Sequence, residues 1–215
     1  MACCLCCRCR SKVQIKKPAQ RELIEKQAFQ LFAARGFKRT RMAQIAAAAG
    51  MTVANIYVYF PSKAHLLYAI YRPMLMEQLE ALAAAVRTLQ GSEARVRRIF
   101  AGLWVDVPAE HNNFANNLMQ ALAEADPEEG KADAEFLTAC ETFVTNLLRE
   151  SLPAERRHLV EDNRIAHLIW MAFDGFVINR RLGDVRNSTG IADLVADLLL
   201  TGAALPARRI KAVRA

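Results

Sequence analysis

Apolar residues recur at helical spacing almost from end to end of the chain. Ile24, Ala28, Leu31 and Phe32 stand at i, i+4, i+7 and i+8, the stripe of an amphipathic helix. Gly36 closes that helix, and Phe37 can fold back on the stripe. Thr40 is placed to cap a second helix, with Met42, Ile45, Ala46 and Ala49 on one face. Gly50 supplies a turn, and Thr52 caps a third helix over 53–60. Its inward residues are Ile56 and Phe60; Val53, Ala54, Asn55 and Tyr57 face out, with Val58 and Tyr59 near the edges. Pro61 ends it, because the residue before proline avoids helical geometry. Ser62 caps a long fourth helix that runs to about residue 89, with a bend expected at Pro73.

Five more helices are predicted, over 93–107, 111–125, 131–151, 163–182 and 189–203. The fifth has Val96, Ile99, Phe100, Leu103 and Trp104 on one stripe. The sixth holds a cluster of His111, Asn112, Asn113, Asn116 and Asn117. Phe136, Leu137, Cys140, Phe143, Val144, Leu147 and Leu148 line the seventh, and a charged connection over 155–162 follows it. In the ninth, Ile191, Leu194, Val195, Leu198 and Leu199 recur. The eighth is apolar nearly all round, so more than one face must be buried. The economical cover for its extra face is the same helix of a second copy. His167, Asp174 and Arg181, seven apart, form its narrow polar stripe, either beside a cavity, across an interface, or as a hydrogen-bonded structural stripe. The expected architecture is all-α: an N-terminal three-helix unit over 18–67, a larger helical unit over 68–205, and tails over 1–17 and 206–215.

Charge sharpens this picture. Of the net +7, residues 1–72 carry 13 Lys and Arg against 2 Asp and Glu, whereas residues 73–215 carry 16 against 20. A basic front on a mildly acidic body is the footprint of a nucleic-acid binder. The most apolar window, 165–178, is too short and too polar at its centre to span a bilayer. No charged segment followed by an apolar run marks a secretory signal, so a cytoplasmic location is expected. Five of the six cysteines, Cys3, Cys4, Cys6, Cys7 and Cys9, crowd the first nine residues. They offer Cys-x-x-Cys pairs, but no second pair or His cluster completes a metal site, and a tail without fixed structure is the simpler reading. Cys140, alone on an apolar face, reads as core. No metal or cofactor is expected.

Two short helices around a tight turn, followed by the start of another, have the layout of a helix-turn-helix. Residues 20–67 resemble the DNA-binding domain of the TetR/AcrR family of bacterial transcriptional regulators. The likeness rests on AFQLFAARGF from Ala28 to Phe37, Thr40, Ile45-Ala46, Ala49-Gly50-Met51-Thr52, Ile56-Tyr57, Tyr59-Phe60 and Ser62-Lys63 before Leu66-Leu67. Beyond residue 70 it rests on helix count and on AFDGFVINRRLGD of the eighth helix. The resemblance implies a homodimer joined through helices eight and nine, operator DNA as partner, and an effector cavity inside helices four to eight. It implies that the fourth helix swings like a pendulum when a small molecule binds, which relieves repression. By position, Thr40, Thr52, Tyr57, Tyr59 and Lys63 match residues that contact phosphates, with backbone charge from Arg39 and Arg41. Val53, Ala54 and Asn55 match residues that face base edges; asparagine can pair bidentately with adenine. Ala54 stands where the family often has glycine, and Tyr59 where histidine is common, so no consensus operator carries over. Lys63 opposes the dipole at the start of the fourth helix, which makes better sense if a phosphate docks there.

For the effector, the candidates are Phe100, Trp104, Phe114, Phe143 and Trp170 as apolar wall, and Asn117, His167 and Asp174 as polar contacts. Each also reads as ordinary core. The preferred function is a ligand-responsive repressor released by a small hydrophobic or amphipathic molecule. Two alternatives stay open: an all-α enzyme, against which no paired catalytic residues or phosphate loop appear, and an architectural DNA binder without a ligand.

Overall fold

The computed structural model describes residues 17–109, 114–124, 131–181, 183 and 188–201. The cysteine cluster, His111, Asn112, Asn113 and the basic C-terminal run lie outside the described residues, as do the side chains of Phe114 and Arg181. Every regular element among the described residues is helical, and no such helix is long and apolar enough to cross a membrane.

The first unit is three short helices: α1 (Pro18–Arg35), α2 (Met42–Ala48) and α3 (Val53–Tyr59). Pro18 opens α1, where its missing N–H costs nothing. Ile24, Ala28 and Phe32 of the predicted stripe are buried. Gly36 ends the helix at φ 79°, in the left-handed region, and its N–H reaches back to the Phe32 carbonyl. Phe37 does fold back, with its ring centroid 5.8 Å from that of Phe32. The cap of α2 is Arg41, one residue later than expected; the Gln44 side chain accepts from its N–H at 2.9 Å. Thr40 instead donates its hydroxyl to the Gly36 carbonyl at 2.8 Å, because the carbonyls at the end of α1 lie closer than the amides of α2. Thr52 and Ser62 cap α3 and α4 as predicted, accepting from the N–H groups of Asn55 and His65.

The second unit begins with α4 (Lys63–Thr88), whose 26 residues make a rod of about 39 Å at 1.5 Å per residue. The helix continues through Pro73 without interruption. α5 starts as Ser92–Ala101, passes through a π-helical turn at Gly102–Asp106 and ends in one helical turn, Val107–Ala109. At the start of the π turn Gly102 sits so close to α4 that a Cβ there would lie 2.3 Å from a Leu82 methyl. The rest are α6 (Phe114–Glu124), α7 (Lys131–Ser151), a 3-10 helix (Ala154–Val160) in the predicted charged connection, α8 (Arg164–Arg181) and α9 (Ser188–Thr201). All five residues of the predicted α5 stripe are buried. Arg97 ties α5 to α9, reaching Asp193 at 3.0 Å and also Asp197.

A single core runs through both units, from Ile24 to Leu199. Cys140 belongs to it, and burial pushes its thiol up to about 12. On α9, Ala192, Ala196 and Leu199 face the core, while Ile191, Leu194 and Leu198 are exposed.

Candidate nucleic-acid interface

α2 and α3 meet through their buried residues. Met42, Ile45, Ala46 and Ala49 are covered on one side, Ile56, Tyr59 and Phe60 on the other. Gly50 turns the chain at φ 64°, and the Met51 N–H donates to the Ala46 carbonyl at 2.9 Å. This packing presents one side of α3 to solvent. Ala54 is exposed and Tyr57 is 50% exposed, with Val53, Asn55 and Val58 partly covered beside them. Arg41 and Thr52 are exposed at the neighbouring helix starts. Six of the nine expected DNA contacts therefore share one accessible surface: Arg41, Thr52, Val53, Ala54, Asn55 and Tyr57.

The other three have structural duties. Thr40 is buried with its hydroxyl turned to α1. Tyr59 lies nearer the core than its edge position suggested. Its hydroxyl donates to Gln20 Oε1 at 2.6 Å and accepts from the Lys17 N–H at 3.1 Å, bracing α3 against the start of α1. Lys63 Nζ donates to the Phe37 carbonyl at 3.0 Å and stands 4.0 Å from the Phe37 ring centroid. Periodicity alone ranks Tyr59 as an edge residue; only the position of α1 converts it to a buried brace.

Inside the larger unit, Phe100 and Trp104 pack at 4.9 Å between centroids, and Trp104 with Phe176 at 5.3 Å. The Trp104 indole N–H is satisfied by the Ile169 carbonyl at 3.1 Å. Trp170 packs edge-on against Phe173 at 5.4 Å, and its buried N–H has no hydrogen-bond partner among the described residues. Phe143 is partly buried. His167 Nδ1 lies 2.6 Å from Glu141 Oε1, joining α8 to α7. Asn117 is fully buried and bonded towards α1 and α4.

A cavity of about 600 Å³ opens elsewhere, between α4 and the π turn of α5, with Met74, Glu77, Leu82, Arg98, Asp106 and Val107 on its walls. Arg98 and Asp106 pair across it at 2.7 Å. Nothing in the hydrophobic pattern marks this groove, because its walls come from residues far apart in the sequence.

Burial also pushes the Asp174 carboxyl above its usual range. Protonated in both the folded and unfolded chain at low pH, the group then carries no penalty. The penalty appears as pH rises past the unfolded-state value near 3.9 and is complete above the raised folded-state value. Asp174→Asn should therefore raise the melting temperature by a few degrees at pH 7 and by nothing at pH 3 or below. Thermal melts at the two pH values check this; an equal gain at both would deny the titration.

Two apolar strips remain uncovered. On α8, Leu168 and Met171 are each 59% exposed and Ile178 51%, spaced as one helical face. α9 adds Ile191, Leu194 and Leu198. α8 thus buries one face in the chain's own core, on Ile169, Trp170, Phe173 and Val177, and leaves the second apolar face exposed.

The sequence matches the model of bacterial regulatory proteins of the tetR family over residues 24–70, which span α1 to the first turns of α4. No curated protein matches it. Among solved structures it is similar to the Thermus thermophilus FadR, a TetR-family repressor in complex with lauroyl-CoA, with a TM-score of 0.67 and 21% identity over 88% of this chain and 97% of that one. The fatty acid degradation regulator FadR of Bacillus halodurans has a TM-score of 0.63 and 20% identity over 85% of this chain and 99% of that one. For the Bacillus subtilis FadR in complex with stearoyl-CoA the values are 0.60, 18%, 85% and 99%. At such identities the structures speak for the fold, and the matched segment speaks for the domain. Residues 24–70 match the model of the tetR family of bacterial regulatory proteins, and the chain around them has the fold of the solved TetR-family regulators.

Proposed function

We propose that the chain is a repressor that grips operator DNA as a homodimer and lets go when a small hydrophobic or amphipathic effector binds. The observation that carries the DNA half is the accessible face of α3, where Ala54 and Tyr57 are exposed with Asn55 partly covered between them, on a helix whose other side is locked into the core. Asn55, with Val53 and Ala54, reads base edges; Arg41, Thr52, Tyr57 and Lys63 take the backbone, and Thr40 and Tyr59 hold the head in shape. Residues 18–67 act as the reading head, and residues 68–205 bind the effector and dimerise through the open faces of α8 and α9. The protein works in the cytoplasm, where a bacterial chromosome is found.

For the effector, an acyl-CoA is the first class to test. Two proteins of this fold were solved with one bound. The aromatic side chains of Phe100, Trp104 and Trp170 suit an alkyl chain, and the Trp170 N–H, without a hydrogen-bond partner among the described residues, offers one donor. The test is fluorescence anisotropy with a duplex from upstream of the protein's own gene and a scrambled duplex, with and without lauroyl-CoA. The expected result is sequence-preferring binding that weakens about 5- to 150-fold with lauroyl-CoA, the range of ordinary allosteric coupling. Equal affinity for both duplexes would defeat the repressor reading. Binding untouched by lauroyl-CoA would defeat the effector class alone.

A further inference from the structure

α6 (Phe114–Glu124) belongs to the bundle, yet two of its side chains grip the reading head. Asn117 is fully buried. Its Nδ2 donates to the Phe32 carbonyl and to the Tyr71 hydroxyl, both at 3.1 Å, and its Oδ1 accepts from the Phe37 N–H at 2.8 Å. Gln120, three residues on, accepts from the Lys38 N–H at 3.1 Å through Oε1. One asparagine thus joins the end of α1, the turn after it and the middle of the α4 rod.

The chemistry of the junction is specific. The carbonyls at the end of α1 and the amides just beyond it have few partners within the helix. Gly36, at φ 79° and ψ 162°, swings the chain so that the Phe37 and Lys38 amides point at α6. A side chain is strained at that φ, although the space beside it is open: a Cβ would lie 3.7 Å from Asn117 Oδ1 and 3.9 Å from Gln120 Oε1. The same turn is held from the other side by Lys63, the first residue of α4, at the Phe37 carbonyl. A buried amide with all these bonds made has little freedom to shift by degrees; it is either seated or broken.

We propose that Asn117 and Gln120 are positioning residues: a latch from α6 that sets the angle of the reading head on the bundle, and through which a displacement of α6 reaches the head. The link from displacement to release rests on the repressor reading above; the setting of the angle does not. The latch acts alongside the α4 rod and grips the turn that α4 itself reaches through Lys63. An effector can then shift the head by moving α6 alone, provided it binds the two positions of α6 unequally.

The test uses the full chain, with Asn117→Ala, Gln120→Ala and Gln120→Glu. Hydrogen exchange is followed at the 36–38 turn and along α8, and operator affinity is measured with and without lauroyl-CoA. In both alanine variants, exchange at the turn should quicken at least ten-fold with α8 unchanged. The ratio of the two operator affinities should shrink at least five-fold. Gln120→Glu keeps the acceptor and should restore both. Gln120 is the milder site, and it decides the matter should Asn117→Ala fail to fold. Unchanged exchange at the turn, or exchange that quickens equally along α8, would overturn the latch. So would a preserved affinity ratio, because a merely structural contact would cost stability and leave coupling intact. If the wild-type protein shows no operator preference or no response to lauroyl-CoA, the repressor reading or its effector class fails instead, and the latch is judged on exchange alone.

Discussion

Met171→Glu yields a monomer that no longer holds its operator. Met171 stands at the centre of the open face of α8, 59% exposed, between Leu168 and Ile178, with Leu194 and Leu198 presented by α9. In a dimer that face becomes interior. Each leucine- or methionine-sized side chain buried there stabilises the pair by about 1.5–3 kcal/mol. A glutamate placed among them must lose its hydration without a partner, which costs several kcal/mol on each subunit. The consequence for DNA is larger than the consequence for folding. Two joined heads bind two half-sites with the second event made intramolecular, an advantage of about 10²–10⁴-fold that a monomer forfeits. Sedimentation should show one subunit, circular dichroism an unchanged helix content, and anisotropy a loss of at least about 100-fold in operator affinity. A dimer that survives the substitution would place the interface elsewhere.

Phe32→Ala melts the reading head and spares the bundle. Phe32 is fully buried, packs on Phe37 and ends the stripe that holds α1 over α2 and α3. Truncating a buried phenylalanine costs about 3–5 kcal/mol. A unit of this size has little stability to lose. The Phe37 ring also carries Lys63 at 4.0 Å, so the start of α4 loosens with it. The expected melt has an early transition that removes DNA binding, then a later one at the wild-type temperature with the dimer intact. Because one continuous core joins the two units, the alternative outcome is a single transition shifted down as a whole. That result would make head and bundle one cooperative body and would contradict the division at residue 67.

Much of the head was readable before any coordinates. Gly36, Gly50, Thr52, Ser62 and Pro61 punctuate the chain, and each acts through its own backbone geometry, which needs no distant partner. Helix positions followed for the same reason: a 3.6-residue stripe reports which face is covered without naming what covers it. The misplacements are instructive. Thr40 was expected as a cap and serves as a buried tether, because its neighbours include the last carbonyls of α1. α9 buries Ala192, Ala196 and Leu199 and leaves Ile191, Leu194 and Leu198 exposed, a division that a run of apolar residues does not make by itself. The effector candidates were chosen for residue type, and they stand on α5, α6, α7 and α8, elements that only tertiary packing brings together.

Local chemistry along the chain was thus enough to establish an all-helical protein with a basic head, the outward face of α3, and a helix eight with one face too many. Those properties depend on periodicity, capping and charge, all of which act within a few residues. What depended on the folded chain was every contact between residues far apart. Asn117 is the clearest case. In the sequence it is one of a run of asparagines and a candidate for an effector; in the fold it bonds to groups of α1, of the turn after it and of α4. No spacing rule connects residue 117 with residues 32, 37 and 71, since only the packing of α6 across the end of α1 brings them within hydrogen-bond reach.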